Sequence, residues 1–367
     1  MIWAERAEAA QRVLTERFWD DGRGVFRVTA RRRLLGMPHW HYWWQAHALD
    51  ALVDAAIRRG GPPAGRDLVG AHVTGILRRN GGGIVNDYYD DMAWMGLALL
   101  RADDLTGVDT AGLVRELWAD IRGGWDRRHG GVLWRRGDTY TNAAANGPAA
   151  VLAARLHARD GDPADLEWAR RIDGWLRATL VDQETGLVWD GIHPGTDSHP
   201  RRELYTYNQG SVVGAGVELY RATRDLGRLA QASRAAAAAL SRLPGSAAGL
   251  PPAEGTGDGG LFKGILARYL GELVLAALES PPGGIEASGP VPSGVRETAG
   301  ASLGMLATAG ASVAPVAATD PVGPDWTAPA AEAGSLSTHL SAVLLLETVA
   351  RLEAAGLVGR EPVVRHP

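Results

Sequence analysis

The 367-residue chain contains no cysteine, and among its basic side chains only Lys263 is not arginine. Without cysteine there is no disulfide, no thiolate metal site and no cysteine nucleophile. The net charge is −4 and no basic block is present, so nucleic acid is not expected as a partner. No apolar run approaches the ~20 residues that cross a bilayer. The first eight residues alternate charge where an export signal needs an apolar stretch. The expectation is a cytoplasmic protein that avoids membranes and acts as a monomer. Ammonium and guanidinium differ in geometry and hydration, which makes the lone lysine a candidate for a specific contact.

What is present is the balance of a soluble globular protein: 46% apolar and 22% charged residues. Thirteen tryptophans are many, and several stand in polar surroundings. A 3.6-residue apolar period predicts twelve helices, at about 3–18, 40–59, 66–80, 88–103, 109–122, 141–160, 163–180, 204–224, 227–243, 260–279, 295–308 and 335–355. Asp162 before Pro163 and Asp109 before its apolar stripe are good start signals. Links after even-numbered helices are mostly short, and links after odd-numbered ones are longer. Three of the long links share one pattern, a glycine-containing turn and then a short strand ending in an aromatic: Asp21-Gly-Arg-Gly-Val-Phe26, Asp126-Arg-Arg-His-Gly-Gly-Val-Leu-Trp134 and Asp182-Gln-Glu-Thr-Gly-Leu-Val-Trp189. The fourth, sixth and eighth helices are rich in small residues, as helices buried on all sides are. Six even helices wrapped by six odd ones meet these constraints. The expected fold is all-α, a single-domain (α/α)6 barrel spanning 1–367, with hairpin-like loops on one face.

In such a barrel the even helices run parallel and begin at one end. Their starts read Trp40-His-Tyr-Trp-Trp-Gln45, Asn86-Asp-Tyr-Tyr-Asp-Asp91, Thr141-Asn-Ala-Ala-Ala-Asn146, Tyr205-Thr-Tyr-Asn-Gln209, Leu261-Phe-Lys263 and Ser335-Leu-Ser-Thr-His339. One polar start is an ordinary cap. Six on one face make a cleft of amides, hydroxyls, carboxylates and aromatic rings, which suits carbohydrate: polar groups meet sugar hydroxyls and rings meet their C–H faces. Trp3, Trp118, Trp168 and Trp175 fall on outer helices and read as packing. His39 and His41 have metal-like spacing but no accompanying carboxylates, so neither a metal nor a cofactor is expected.

Asp90 and Asp91 stand out on that face. Adjacent acids often form a solvated cap, but a buried run, Met92-Ala-Trp-Met-Gly-Leu97, follows these directly. Neighbouring carboxylates repel, and burial disfavours charge, so one tends to keep its proton. Glycoside hydrolysis needs that asymmetry: an acid to protonate the leaving oxygen and an anion to attack or stabilise C1. The residues alone do not say which acid does which.

Tyr88-Tyr-Asp-Asp-Met-Ala-Trp94, Gly130-Gly-Val-Leu-Trp134, Asn142-Ala-Ala-Ala-Asn-Gly-Pro148, Tyr205-Thr-Tyr-Asn-Gln-Gly210 and Phe262-Lys-Gly-Ile265 together resemble glycoside hydrolase family 76, in the same order. The resemblance covers roughly 40–350. It implies an (α/α)6 barrel that hydrolyses α-1,6-mannosidic bonds with retention and without metal, on mannan or mannooligosaccharides, with Asp90 as nucleophile and Asp91 as acid/base. Many relatives are exported, and with no such signal here imported oligosaccharides or an internal glycan suit the chain better than intact mannan. Members often carry lysine where this chain has Thr141. Candidate sugar-facing residues are Tyr88, Tyr89, Trp94, Trp134 and Trp189 as platforms, and Asn142, Asn146, Tyr207, Asn208, Gln209 and Lys263 as hydroxyl partners. Trp43, Trp44 and His339 lie on the same face, and Asp87 could support the pair or cap its helix. Other readings are a sugar 2-epimerase, for which His339 is one candidate acid/base, an unsaturated glucuronyl hydrolase, a non-catalytic glycan-binding protein, and a transglycosylase.

Overall fold

The computed structural model describes residues 2–30, 40–61, 67–243, 250–278, 290–331 and 334–358. Twelve α-helices form among them: α1 Ile2–Phe18, α2 Tyr42–Arg59, α3 Leu68–Arg79, α4 Tyr89–Ala102, α5 Thr110–Gly123, α6 Ala143–Asp160, α7 Pro163–Thr179, α8 Thr206–Thr223, α9 Leu226–Arg242, α10 Gly259–Leu278, α11 Ser293–Ala317 and α12 Leu336–Ala354. The even helices touch in the closed order α2, α4, α6, α8, α10, α12 and back to α2. Each odd helix packs outside an even one, α1 on α12, α3 on α2, α5 on α4, α7 on α6, α9 on α8 and α11 on α10. This is an (α/α)6 barrel.

The two rings are built from different sequence. The outer helices α3, α5, α7 and α9 are capped by their own aspartates, Asp67, Asp109, Asp162 and Asp225, each accepting a first-turn N–H. Each buries one stripe, as in α7, where Ala169, Ile172 and Leu176 face inward. Inner helices α2, α4, α8 and α12 begin at His41, Tyr88, Tyr205 and Ser335, none of which caps with its side chain. Those first turns are left for other partners. Inner helices also approach closely. A Cβ on Gly210 would lie 2.8 Å from the Leu266 backbone, and one on Gly264 would lie 2.5 Å from that of Ser341.

At the opposite end of the ring, where the inner helices finish, charges replace apolar contacts. Arg101 and Arg268 hold Asp50 and Asp54 between α4, α10 and α2. Arg221 bridges Glu218 at 3.0 Å and Glu272 at 2.8 Å, and Arg351 reaches Glu272 at 2.7 Å. Buried charges persist only when paired, and here they are.

One helix differs from its sequence reading. The eleventh is expected at 295–308, yet α11 runs from Ser293 to Ala317 and takes in part of the expected loop. Pro315 sits in its final turns, and the alanine-rich stretch before it has too weak an apolar period to read. At 25 residues α11 is also long and apolar enough, by length and composition, to cross a membrane, contrary to the sequence reading of apolar runs. In the barrel it packs against α10, α9, α12 and α1.

Candidate active site

Three hairpins stand over the starts of the inner helices, as the repeated Asp–Gly–aromatic pattern predicts. The first pairs β1 (Trp19–Asp20) with β2 (Val25–Phe26), and the others close at Trp125 with Val132 and at Val181 with Val188. Each is clamped by one amide side chain from the first turns of an inner helix. Gln45 accepts the Phe26 N–H at 2.9 Å and donates to its carbonyl at 3.0 Å. Asn146 does the same to Val132 at 2.7 and 2.8 Å, and Gln209 to Val188 at 2.9 and 2.8 Å. A buried amide that satisfies a lone backbone pair on both sides is rigid. These clamps fix the loops that wall the cleft.

Between them lie two cavities of about 740 and 550 Å³ that share Trp43, Asp90, Trp134 and Asp258. Asp91 and Tyr88 line the smaller. Trp94, Asn142 and Tyr207 line the larger, where Phe262 stacks on Tyr207 with centroids 4.0 Å apart. The cleft therefore runs past the acid pair in both directions.

Asp90 and Asp91 occupy the first turn of α4. Asp90 Oδ2 accepts the Trp134 indole N–H at 3.1 Å, and Asp91 Oδ2 accepts the Asn86 amide at 2.8 Å. Burial pushes the Asp90 carboxyl up to about 7, against the lowering pull of the indole and the helix-start N–H groups, and the Asp258 charge adds to the rise. Asp91 moves well above the carboxylate range, through burial first and the Asp90 charge second. Such neighbours titrate as one unit that shares a proton near neutrality. Asp90 is the better-supported anion, and Asp91 is the member that keeps the proton.

Seven of the sequence-predicted residues converge on this cleft: Tyr88, Asp90, Asp91, Trp94, Trp134, Asn142 and Tyr207. Six do not line either cavity. Asn146 and Gln209 are fully buried, and their amides are spent on the hairpins rather than on sugar hydroxyls. Tyr89 is buried against Gly124 with the Arg136 guanidinium 5.7 Å from its ring. Asn208 is buried and donates to Asp190 at 3.0 Å. Trp189 carries the Arg202 guanidinium at 5.0 Å. The Lys263 ammonium is buried 4.3 Å from the centre of the Trp326 ring.

Among the secondary candidates, Trp43 lines both cavities, while Trp44 is buried and donates to Asp258 at 2.8 Å. His339 is buried 3.1 Å from the Ala10 carbonyl, and burial lowers its pKa to about 4. It sits away from the cleft, so the epimerase reading loses its histidine. Asp87 lines the smaller cavity at its exposed rim, with its carboxylate 3.7 Å from Arg136. His41 stacks on Trp44, and His39 lies outside the described residues.

The sequence reading passes over several walls of the cleft. Asp190 takes the Tyr140 hydroxyl at 2.6 Å, and Asp258 takes the indoles of Trp43 and Trp44 at 3.0 and 2.8 Å. Asp190 directly follows the aromatic that ends the third hairpin, and Asp258 directly precedes α10. Both positions are visible once the hairpins and helix starts are taken to face one cleft.

A barrel whose inner helix starts enclose an aromatic, carboxylate-rich cleft around an adjacent acid pair defines a class of carbohydrate-acting proteins. Residues 2–281 match the model of glycosyl hydrolase family 76, and the chain belongs to that family. Its fold is similar to the GH76A α-1,6-mannanase of Salegentibacter sp. HEL1_6, with 33% identity, a TM-score of 0.83, and coverage of 95% of this chain and 99% of that one. An inactive variant of the same mannanase, with two consecutive aspartates replaced by asparagine and α-1,6-mannotriose bound, matches at 32% identity with a TM-score of 0.82 over 95% and 99% of the two chains. The mannan endo-1,6-α-mannosidase DCW1 of Candida glabrata is 25% identical over 211 residues, 50% of this chain and 46% of that protein. The chain thus spans just under half the length of that yeast relative.

Proposed function

We propose that this protein is a retaining glycoside hydrolase that cleaves α-1,6-mannosidic bonds within mannan or mannooligosaccharides. The observation that carries the reading is the pair of adjacent, differently held acids at the seam of a two-sided aromatic cleft. Asp90, supported as an anion by the Trp134 N–H and the start of α4, attacks C1 of the mannosyl unit. Asp91, protonated at rest, gives its proton to the departing O6. The glycosyl–Asp90 ester then breaks when Asp91, now an anion, takes a proton from water as the water oxygen attacks C1. Two inversions restore the α configuration. The Salegentibacter variant supports this reading, since its inactivity accompanies replacement of two consecutive aspartates in a protein one-third identical to this one.

Because Asp90 borders both cavities and Asp91 borders the smaller, the leaving side of the chain is assigned to the smaller cavity and the glycone side to the larger. Room for sugars on both sides favours internal cleavage. Incubation with α-1,6-mannooligosaccharides of two to six units is expected to give mannobiose and mannotriose early, with the disaccharide itself a poor substrate. Release of only single mannose units from every length would replace the endo assignment with an exo one. No hydrolysis at any length, under conditions where the protein is folded, would remove the proposed activity.

A further inference from the structure

Trp134 is expected from the sequence as a platform for a sugar face. Its surroundings give it a second task. The Trp134 backbone is held twice, its N–H donating to the Tyr140 carbonyl at 2.7 Å and its carbonyl accepting the Tyr89 N–H at 2.9 Å, next to Asp90. Two residues earlier, Val132 is gripped by Asn146, which is fully buried and also donates to the Asn142 carbonyl at 2.9 Å. Rings on both sides brace the indole edge-on, Tyr88 at 5.3 Å and Tyr140 at 6.4 Å. An indole N–H is a donor only. Aimed 3.1 Å from Asp90 Oδ2, it can bond the ionised carboxylate but has nothing to accept from a protonated oxygen at that position.

We propose that Trp134 is a positioning residue that selects Asp90, rather than Asp91, as the anion of the pair, through an indole donor held in place by the Asn146-clamped hairpin. The inference rests on the proposed glycosidase reading for its catalytic meaning, but the selection itself belongs to the free protein. The N–H groups at the start of α4 also favour an anion at Asp90, and Asn86 donates to Asp91, while the remaining groups facing the pair do not make this choice. Asp91 beside it and Asp258 at the start of α10 are acids that oppose its charge. Tyr207 on α8 is pushed well above its usual range by burial first and then by the charges of Asp190 and Asp90, so it stays neutral. His47, behind Trp94, is pushed down to about 3 by burial and stays neutral as well. Asp138 and Glu254 are further acids on the same wall, and His193 and Arg201 lie at the Asp190 end, where Arg201 acts on Asp190 and Tyr140. Arg135 sits over the outer face of the Trp134 ring, 5.6 Å from its centre.

The test compares wild type with Trp134→Phe, which keeps a ring and removes the donor, and Trp134→Gln, which loses the ring and keeps N–H groups. Carboxyl titrations followed by ¹³C NMR on aspartate-labelled protein need no substrate, so they stand whether or not the hydrolase reading does. In Trp134→Phe the lower-titrating acid of the pair is expected to move up by about one pH unit, and the acid limb of kcat/KM with it, an approximately tenfold loss on that limb. Trp134→Gln should move it less. Unchanged titration in Trp134→Phe overturns the proposal. So does an equal shift in both variants, which would assign the effect to loss of ring packing. Loss of mannooligosaccharide turnover in wild type, with the titration shift intact, would instead fault the catalytic reading alone.

Discussion

Asp90→Asn is expected to lower kcat on α-1,6-mannooligosaccharides by at least ~10⁴-fold, because it removes the carboxylate proposed to form the ester. Asp91→Asn is expected to lose a similar factor on these substrates, whose leaving sugar alcohol needs a proton, but far less on an aryl α-mannoside, whose phenolate leaves unaided. The second variant should also be rescued by azide, which needs no general base, with the configuration at C1 retained. Steady-state kinetics on the two substrate types checks both statements. The pattern separates roles as well as importance: sensitivity to the leaving group belongs to the proton donor, and insensitivity to the nucleophile. If Asp90→Asn were the variant rescued on the aryl mannoside, the two roles would be exchanged.

The same substitutions are expected to stabilise the fold. A carboxyl raised to about 7 in the folded protein binds its proton there more tightly than in the unfolded chain, where it titrates near 4. Its stabilising contribution is fully present below pH ~4 and falls as pH rises from there toward about 7, since the folded state holds the extra proton across that window. Replacement by a neutral amide removes the charge that has to be buried, and it relieves the repulsion on the neighbour. Asp90→Asn should gain about 2 kcal/mol at pH 8, a figure reduced for the water that reaches the cleft, and almost nothing at pH 4, and Asp91→Asn should gain in the same direction. Denaturant melts of the three proteins at both pH values measure this. A gain equal at pH 4 and pH 8 would trace to packing and not to charge.

The architecture is largely legible because its signals are local and repeated. Aspartate caps mark the outer helices, Asp162–Pro163 most sharply, and small residues such as Gly210 mark inner ones where backbones meet. The three Asp–Gly–aromatic loops read correctly as hairpins since their turn chemistry is contained in a few consecutive residues. The end of α11 was obscured by an alanine-rich stretch and a proline that the helix tolerates near its close. At the site, residue type alone does not fix direction. Asn146 and Gln209 are the right kind of side chain for sugar recognition, at the right end of the right helices. Yet the hairpins above them leave one N–H and one carbonyl to satisfy, and an amide supplies both partners. Lys263 is drawn away by Trp326, sixty-odd residues downstream, a contact no local pattern announces. Conversely Asp258 is engaged by two indoles from α2, and that pairing becomes apparent only when the ring is closed.

The most direct measurement is to trap the sugar on the protein. Incubation with a 5-fluoro mannosyl fluoride extended by an α-1,6-linked mannose, followed by proteolysis and fragmentation mass spectrometry, should place one glycosyl group on Asp90, with the α anomer as the first product of normal turnover. A label on Asp91, or a β first product from an enzyme that turns over rapidly without forming any ester, would contradict a mechanism in which the indole-supported acid is the nucleophile.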